Sequence, residues 1–258
     1  MSAPGWSPSQ YLKFEDERTR PARDLLAVVP LTSATTVIDI GCGPGNSTEL
    51  LVARFPGAKV VGVDNSPEML VTAQLRVPSA AFEAADAAKW SPPAPVDLIY
   101  GNAVFQWVPD HLAVLERLMG HLAPGGELAL QVPDNLDQPT HVLMRTVALE
   151  GPWAAKFAAP IAREVIPPVS AYYDRLRPLS ARVDIWRTTY HHPLADAAAI
   201  VEMVRSTSLR PFLARLDKAE EGAFLADYHR RVAEAYPPLS DGRVLLGFPR
   251  LFVVAVRA

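Results

Sequence analysis

One short stretch, residues 37–51, constrains the fold of this chain more than any other part of the sequence. It reads VIDIGCGPGNSTELL: an apolar run of strand length, three glycines within five positions, and then a helical pattern. Glycine inside a strand or helix costs about 0.5–1 kcal/mol relative to alanine. Three glycines at such a cost, between a strand and a helix, indicate that the backbone itself is needed there. They let it turn tightly and approach a ligand, as happens at the strand ends of doubly wound α/β folds.

The rest of the first half continues the alternation of strands and helices. Apolar strand-length runs alternate with helical patterns, and the last helix, in DHLAVLERLMGHLAPGG, is predicted to end at Pro124, Gly125 and Gly126. Five such units with short turns predict a parallel sheet covered by helices on both faces. A simpler interpretation of the glycine stretch is a tight strand–helix turn without a ligand.

The second half has a different pattern. Helical stretches are predicted over residues 140–150, 169–176, 195–207 and 219–235, with one strand in VDIWRTTYHH and a final apolar run, RLFVVAVRA. The predicted division is a Rossmann-like core with an N-terminal helix over residues 1–136, a mainly helical region containing strand six over residues 137–249, and a last sheet strand over residues 250–258.

Charge and composition narrow the possible partners. The net charge is −3 and the pI is about 6.1, which disfavours nucleic acid. Residues 1–136 hold nine basic and fifteen acidic side chains, whereas residues 137–250 hold fifteen basic and thirteen acidic ones, so an anion site is expected in the second half. The single cysteine, Cys42, allows no internal disulfide and no cysteine metal cluster. Neither a signal peptide nor a membrane-length apolar run is evident, so a cytoplasmic protein without a metal or membrane partner is expected.

Two acidic residues indicate which ligand the glycine stretch serves. Asp64 ends the second predicted strand, where a carboxylate can accept hydrogen bonds from both ribose hydroxyls, and Asp86 follows the third, where it can hold an exocyclic amine. Either acid alone is more often a helix cap or a solvated turn, but together they outline a nucleoside. The NAD fingerprint would need a third glycine at position 46, which is Asn46.

The G-x-G-x-G spacing after VIDI, with an acid ending strand two, resembles class I S-adenosylmethionine-dependent methyltransferases. The segments WSPSQYLKFEDERTRPARDLL, GNAVFQWVPDH, HVLMRTVALEGPW, AYYDRL, VDIWRTTYHHPL, SLRPFL and FPRLFVVAVR resemble the trans-aconitate 2-methyltransferase family over most of the chain. The resemblance implies a doubly wound α/β sheet of seven strands, with an antiparallel last strand beside the sixth and a helical C-terminal insertion. It also implies methyl transfer from S-adenosylmethionine to a carboxylate of trans-aconitate, giving a monomethyl ester.

The resemblance also implies a set of cofactor-binding positions around the glycine stretch, the strand ends and the N-terminal helix. They are Tyr11, Arg18, Gly41, Cys42, Gly43, Gly45, Asp64, Asn65, Met69, Asp86, Ala87 and Asn102. Several have simpler explanations: Met69 fits a helix core, and Arg18 can pair with Glu15 one helical turn away.

The implied substrate is a small polycarboxylate, whose acid groups have pKa values of roughly 4 and are ionised at neutral pH. No general base is then needed, and the sequence has no Ser/His/Asp set. Orientation would fall to arginine, whose planar fork binds a carboxylate through two hydrogen bonds. The candidates are Arg250, Arg210, Arg145, Tyr190 and His191. Arg250 is placed by topology, since it opens an antiparallel strand and so lies at the edge where parallel strands end.

Three alternatives stay open at this point. The chain could methylate another small or carrier-linked carboxylic acid, it could bind S-adenosylmethionine without catalysis, or it could be an NAD enzyme. Asn46 speaks against the last of these. Oligomeric state is not encoded in any pattern of the sequence.

Overall fold

A seven-stranded sheet in the order β3-β2-β1-β4-β5-β7-β6 organises the chain. The computed structural model describes residues 15–159, 161, 164–205 and 207–258. The strands are β1 Thr36–Ile40, β2 Lys59–Asp64, β3 Ala81–Ala84, β4 Val96–Asn102, β5 Leu122–Pro133, β6 Ser180–Leu194 and β7 Val244–Arg257. This order, with a mixed sheet and an antiparallel last strand, confirms the predicted fold class.

Helices connect most of the strands. They are α1 Glu15–Val28, α2 Asn46–Arg54, α3 Pro67–Arg76, α4 His111–Met119, α5 Pro139–Glu150, α6 Val169–Leu176, α7 Ala197–Arg205, α8 Arg210–Leu213 and α9 Lys218–Ala235. Short 3-10 turns cover Phe105–Trp107, Ala154–Phe157 and Arg177–Leu179. The four helices predicted in the second half are all present, with ends that differ from the predicted ones by at most two residues.

The chain divides into two compact units. The sheet unit comprises Asp16–Pro133, Ile166–Thr188 and Arg250–Ala258, and the helical unit includes Asp134–Val165 and Thr189–Pro249. The sheet unit buries the apolar faces of β1, β4, β5 and β7 against α4 and α6 in one core. The helical unit buries α5, α7 and α9 in a second core rich in aromatic side chains. The domain boundaries drawn from the sequence remain a prediction.

Strand register fixes which residues reach the edge where the parallel strands end. β4 pairs with β5 so that Asn102 lies beside Gln131, and β5 pairs antiparallel with β7 so that Pro133 lies beside Arg250. Because β7 runs in the opposite direction, its residue Arg250 lies at the carboxyl ends of β4 and β5. The predicted placement of Arg250 at this edge is therefore confirmed, whereas the prediction that Arg250 opens the last strand is wrong, because β7 begins at Val244.

Two boundaries of the sheet differ from the predicted ones. The helix predicted to end at residues 124–126 ends at Met119, and Pro124 and Gly126 lie within β5, where the register against β4 shifts between Val96 and Leu98. The last strand begins at Val244, six residues before the predicted start. Val244 and Leu246 are buried whereas Leu245 is exposed, so the period of two extends the strand past the Gly-Phe-Pro step.

Candidate functional site

The loop between β1 and α2 is held in a conformation that its glycines permit. Gly41 has φ +69°, and a β-carbon at that position would lie 2.4 Å from the side chain of Val104. Gly45 has φ +92° at the start of α2. Side chains are disfavoured at such angles, and at Gly41 they are also excluded by contact. The backbone can consequently pass close beneath a ligand at the end of β1.

Asp64, at the end of β2, is joined to this loop. Its Oδ2 accepts a hydrogen bond of 2.9 Å from the backbone N–H of Gly43, and its Oδ1 accepts one of 2.9 Å from the N–H of Ser66. The two backbone donors hold the carboxylate in place. Because the side chain is only half-buried, the carboxylate stays accessible to a ligand. A carboxylate oxygen has a second lone-pair direction, which leaves acceptor capacity for the hydroxyls of a ribose.

Beneath the loop lies an acid that sequence reasoning missed. Asp39, the last residue but one of β1, is fully buried, and its Oδ2 accepts hydrogen bonds from Ser47 Oγ at 2.8 Å and Thr48 Oγ1 at 2.6 Å. Burial raises the pKa of Asp39 to about 7, against the opposing effect of the two hydroxyls. Asp39 thus ties the first turn of α2 to β1. The sequence did contain a signal of this buried acid: an aspartate lies inside an apolar strand, and two residues with hydroxyl groups follow the glycines.

Cys42, within the loop, is not a reactive thiol in this setting. Burial, followed by the nearby carboxylates of Asp39 and Asp64, raises the pKa of Cys42 far above its usual range. The neutral thiol is the poorer nucleophile. Cys42 therefore acts as a small buried side chain that lets the loop pack on the sheet.

Asp86 and its neighbours lie after β3. The Asp86 side chain is exposed, and its Oδ1 accepts a hydrogen bond of 2.9 Å from the N–H of Ala88, which closes a tight turn that includes Ala87. Asn65 is exposed beside Asp64, whereas the side chain of Met69 is buried in α3. The roles predicted for these four residues remain predictions, as does that of Arg18, which lies in α1. Tyr11 lies outside the described residues.

The end of β4 holds a strained residue at the same edge as the loop. Ala103 has φ +58°, a conformation uncommon for a residue with a side chain, and its N–H donates to the carbonyl of Gln131 at 3.0 Å. Gln106 Nε2 donates to the Ala103 carbonyl at 2.6 Å. Backbone strain of this kind is found at ligand sites. The adjacent Val104 is the residue that approaches Gly41.

Asn102, Gln131 and Arg250 form a hydrogen-bonded row across β4, β5 and β7. Arg250 Nη1 donates to Gln131 Oε1 at 3.0 Å, and Gln131 Nε2 donates to Asn102 Oδ1. Arg250 is 7% exposed and Gln131 is fully buried. The sequence analysis selected Asn102 and Arg250 and missed Gln131, although a glutamine in the apolar run ELALQVP was a signal of an unusual buried polar group.

The remaining candidates for substrate orientation lie in the helical unit. Arg145 is exposed and donates to the Leu136 carbonyl at 2.7 Å. Arg210 begins the short helix α8 and is half-buried. Tyr190 is buried and its ring stacks on that of His192, whereas His191 is exposed. These placements leave their predicted roles as predictions.

His111, on α4, takes part in the packing of the sheet unit. His111 Nε2 lies 2.6 Å from Tyr172 Oη, and burial lowers the pKa of His111 below its usual value.

Among the residues that the structure describes, no group of three His, Cys, Asp or Glu side chains could hold a metal ion. No helix in the described part of the chain is long and apolar enough to cross a membrane.

The loop leaves room for a ligand beside Gly43. Among the residues that the structure describes, nothing lies within 4 Å of a β-carbon added at Gly43, so the described part of the chain does not fill that face of the loop. Asp64 presents acceptors beside that face, and Asn102 lies at the end of the neighbouring strand β4. These are the features expected of a site for S-adenosylmethionine, in which hydroxyls need acceptors and the chain needs close backbone approach.

Comparison with known proteins supports the same assignment. The family model for a methyltransferase domain matches residues 37–126. The chain is 58% identical over 258 residues to trans-aconitate 2-methyltransferase of Methylobacterium radiotolerans, covering 98% of both chains. It is 58% identical to the protein of that name in Rhodopseudomonas palustris, covering 98% of this chain and 99% of that one. The protein of that name in Variovorax paradoxus is 57% identical, with 97% of both chains covered.

Solved structures share the fold at low sequence identity. YcgJ protein from Bacillus subtilis has a TM-score of 0.60 at 12% identity, covering 92% of this chain and 98% of that one. Haemonchus contortus phosphoethanolamine N-methyltransferase 2, solved with phosphomonomethylethanolamine and S-adenosylhomocysteine, has a TM-score of 0.55 at 15% identity, covering 93% of this chain and 53% of that one. At these identities the likeness concerns the fold alone.

Proposed function

The chain belongs to the trans-aconitate 2-methyltransferase family, and from that premise we propose that it methylates a carboxylate of trans-aconitate, giving the monomethyl ester. It is a methyltransferase with S-adenosylmethionine as the methyl donor. The observation that carries the substrate proposal is 58% identity over nearly the whole of both chains, which includes the helical unit as well as the glycine loop.

We assign the donor site to the sheet unit. The backbone at residues 41–45 would lie beneath the ligand, Asp64 would accept hydrogen bonds from the ribose hydroxyls, and Asp86 with Ala87 would meet the adenine. When bound, S-adenosylmethionine supplies a methyl group carried on a positively charged sulfur. The protein's part is to hold that group in line with an oxygen of the acid, an arrangement worth up to about 7–11 kcal/mol in favourable cases.

The acid needs no deprotonation by the protein. Carboxylic acids ionise with pKa values of roughly 4, so at neutral pH the reacting oxygen is already an anion. We propose that arginine and amide donors orient the acid, with Arg250 first among them. Its guanidinium is buried at the edge where Asn102 and the glycine loop also lie, so a carboxylate bound there would be largely removed from water. The further candidates for orienting the acid are Arg210, Arg145, Tyr190 and His191.

An esterification screen tests the proposal. Purified protein is incubated with S-adenosylmethionine carrying a labelled methyl group and with trans-aconitate, cis-aconitate, citrate, itaconate or an acyl-carrier-linked dicarboxylate. The expected result is a base-labile methyl ester formed with the highest kcat/KM from trans-aconitate. A higher kcat/KM for another acid would reassign the substrate, and binding of the donor without any ester would indicate a binding module.

Two variants control the screen. Asp64→Ala should abolish most of the labelled ester, because the donor is then poorly held. Asp174→Ala removes an exposed acid on α6 and should leave the rate unchanged. Ester that persists at full rate in the Asp64→Ala protein would come from a contaminating enzyme if the variant binds S-adenosylmethionine more weakly, and would remove Asp64 from the donor site if its affinity is unchanged.

A further inference from the structure

We propose that Gln131 is a positioning residue that holds the side-chain amide of Asn102 with its two N–H donors presented to an oxygen of the acid substrate. The inference rests on the proposed function and adds to it the residue that sets the polarity of the acceptor site. It is carried by the row of hydrogen bonds from Arg250 through Gln131 to Asn102.

The direction of each bond follows from the chemistry of the first residue. A guanidinium has donors and no acceptor, so the Gln131 atom that faces Arg250 Nη1 at 3.0 Å has to be the carbonyl oxygen, Oε1. The Gln131 Nε2 group then faces β4 and donates to Asn102 Oδ1. Arg250 thereby determines which way round both amides stand, although amide oxygen and nitrogen have nearly the same shape.

The remaining group at the end of the row is Asn102 Nδ2. Among the residues that the structure describes, Nδ2 has no hydrogen-bond partner, while Oδ1 is occupied by Gln131. The Asn102 side chain is half-buried, so a ligand can reach it. The donors need an acceptor from outside the described part of the chain, such as a ligand, and the amide cannot turn over without placing its Nδ2 against Gln131 Nε2, donor against donor.

The surrounding backbone keeps Asn102 in place. Asn102 and Gln131 are register partners of β4 and β5, and the Gln131 carbonyl also accepts the N–H of Ala103. Two hydrogen bonds stabilise the positive φ of Ala103: its N–H donates to the Gln131 carbonyl, and its carbonyl accepts from Gln106 Nε2. Gln131 therefore fixes both the main chain and the side chain of the turn that follows β4. A fixed amide donates without first losing conformational freedom, which favours binding of an anionic oxygen.

The polarity of the amide favours the acid over the amino group of the methyl donor. An ammonium group has donors only and would need an acceptor, whereas an ionised carboxylate has acceptors only. A polycarboxylate with one carboxylate at Asn102 Nδ2 and another directed toward Arg250, two strands away, would be bound by neutral and charged donors together. This arrangement would select acids over neutral amides or esters of the same shape.

We call the action of Gln131 on the acid through the Asn102 amide the relay. Kinetics of three variants test it. Gln131→Glu keeps an acceptor for Arg250 and presents only acceptors to Asn102, whose amide should then turn and offer Oδ1 to the ligand. We expect KM for trans-aconitate to rise about tenfold or more, with the dissociation constant of S-adenosylhomocysteine changed less than about twofold. Asn102→Ala should raise KM by a similar factor. Gln74→Glu, which changes an exposed amide on α3, is the matched control and should behave as the wild type.

The double variant separates an effect through Asn102 from direct repulsion by the new carboxylate. If the carboxylate introduced by Gln131→Glu acts through Asn102, adding this substitution to Asn102→Ala should change KM by less than about twofold, because the residues form one unit. A further tenfold rise in the double variant would overturn the relay. Loss of S-adenosylhomocysteine affinity in Asn102→Ala, with KM for the acid unchanged, would also overturn it by placing Asn102 in the donor site.

A readout without substrate keeps the relay distinct from the proposed function. In ¹⁵N-labelled protein the side-chain amide signal of Asn102 is assigned by its loss in Asn102→Ala. In Gln131→Glu its proton should move downfield, since it then donates to a carboxylate. An unmoved signal would overturn the relay whatever the substrate is, whereas a moved signal in a protein that does not methylate trans-aconitate would support the relay and count against the substrate.

Discussion

At the scale of single residues, the site is a set of carboxylates with different environments. Asp39 is fully buried with two hydroxyl donors, and burial raises its pKa to about 7. Asp64 is half-buried and holds two backbone donors. The two acids are close enough for the charge of Asp64 to add to the raised pKa of Asp39. The buried acid organises the loop, and the accessible one is suited to a ligand.

Replacement of Asp64 should weaken donor binding. Asp64→Ala removes the acceptor for the ribose and also the bonds from Gly43 and Ser66, each worth about 1.5–3 kcal/mol when a charged group takes part. We expect the dissociation constant of S-adenosylmethionine to rise by about tenfold or more, as measured by calorimetry. Circular dichroism should show that the fold survives. Unchanged affinity would remove Asp64 from the donor site.

Replacement of Arg250 by lysine should affect the acid and spare the donor. Lysine keeps the charge and can still donate to Gln131 Oε1, but it lacks the planar fork. We expect kcat/KM for trans-aconitate to fall about tenfold or more, from a loss of about 1.5–3 kcal/mol. A dicarboxylate lacking the anchored group should lose less. Wild-type kinetics on trans-aconitate would move the search for the anchor to Arg210 and Arg145.

At the scale of elements, the sequence predicted what depends on local pattern. The order of strands and helices, the glycine loop and the place of Asp64 at the end of β2 all follow from periodicity and from glycine chemistry. The start of β5 did not, because Pro124 and Gly126 are ordinarily helix-ending residues and only pairing with β4 makes them part of a strand. The early start of β7 was likewise hidden by the Gly-Phe-Pro step.

Contacts between distant segments could not be predicted. Gln131 and Arg250 are 119 positions apart, and their bond depends on the antiparallel register of β5 and β7. Sequence reasoning placed Arg250 at the correct edge from strand direction alone, but it had no means of finding the amide that Arg250 meets. The close approach of Val104 to Gly41 could not be predicted either, because the local sequence around each residue gives no indication of the other.

Gly41, in the glycine loop, and Gly57, in the turn between α2 and β2, make a matched pair for alanine substitution. Both have positive φ, but a β-carbon at Gly41 meets Val104 at 2.4 Å, whereas one at Gly57 meets no described residue within 4 Å. Gly57→Ala should cost only the backbone strain, about 1–2 kcal/mol in free energy of unfolding. Gly41→Ala should cost more and should also weaken S-adenosylmethionine binding, as shown by urea denaturation and calorimetry. Equal losses for both variants would mean that the contact with Val104 has no consequence.

At the scale of the whole molecule, catalysis and stability should respond differently to pH. The reacting oxygen of the acid has a pKa of roughly 4, so it is ionised throughout the range from about pH 6 to pH 8. We expect kcat at saturating donor and acid to vary little over that range. Stopped assays with labelled donor in a buffer series of constant ionic strength measure it. A steep rise with an apparent pKa near about 7 that is retained in Asp39→Asn would mean that a base such as His191 takes part, whereas a rise lost in that variant would report the titration of Asp39 beneath the loop.

The contribution of two buried carboxyl groups to stability should instead fall as the pH rises, because their burial is not fully compensated. Burial raises the pKa of Asp39 and that of Glu127 to about 7, from unperturbed values of 3.8 and 4.5. The Asp39 charge faces Asp64, while Glu127 has partial compensation from the backbone at Leu31 and the charge of Arg182. Between about pH 4 and pH 7 the folded chain therefore binds more protons at these groups than the unfolded chain does.

The sign of the effect follows from proton linkage. Where the folded state binds more protons, the free energy of unfolding decreases as pH rises, so these two groups stabilise the fold below about pH 4 and lose that contribution as pH passes through about 7.

Asp39→Asn and Glu127→Gln remove the titration of these carboxyl groups while keeping the shape of the side chains. We expect each variant to gain stability relative to the wild type between about pH 5 and pH 8, measured as the urea midpoint. Asp174→Asn, which changes an exposed acid, serves as the control. His111, whose pKa burial lowers, contributes with the opposite sign in every variant and cancels in the comparison. A difference for Asp39→Asn that is the same at about pH 5 and pH 8 would show that Asp39 is ionised in the fold at both values, held by Ser47 and Thr48 more strongly than burial opposes it.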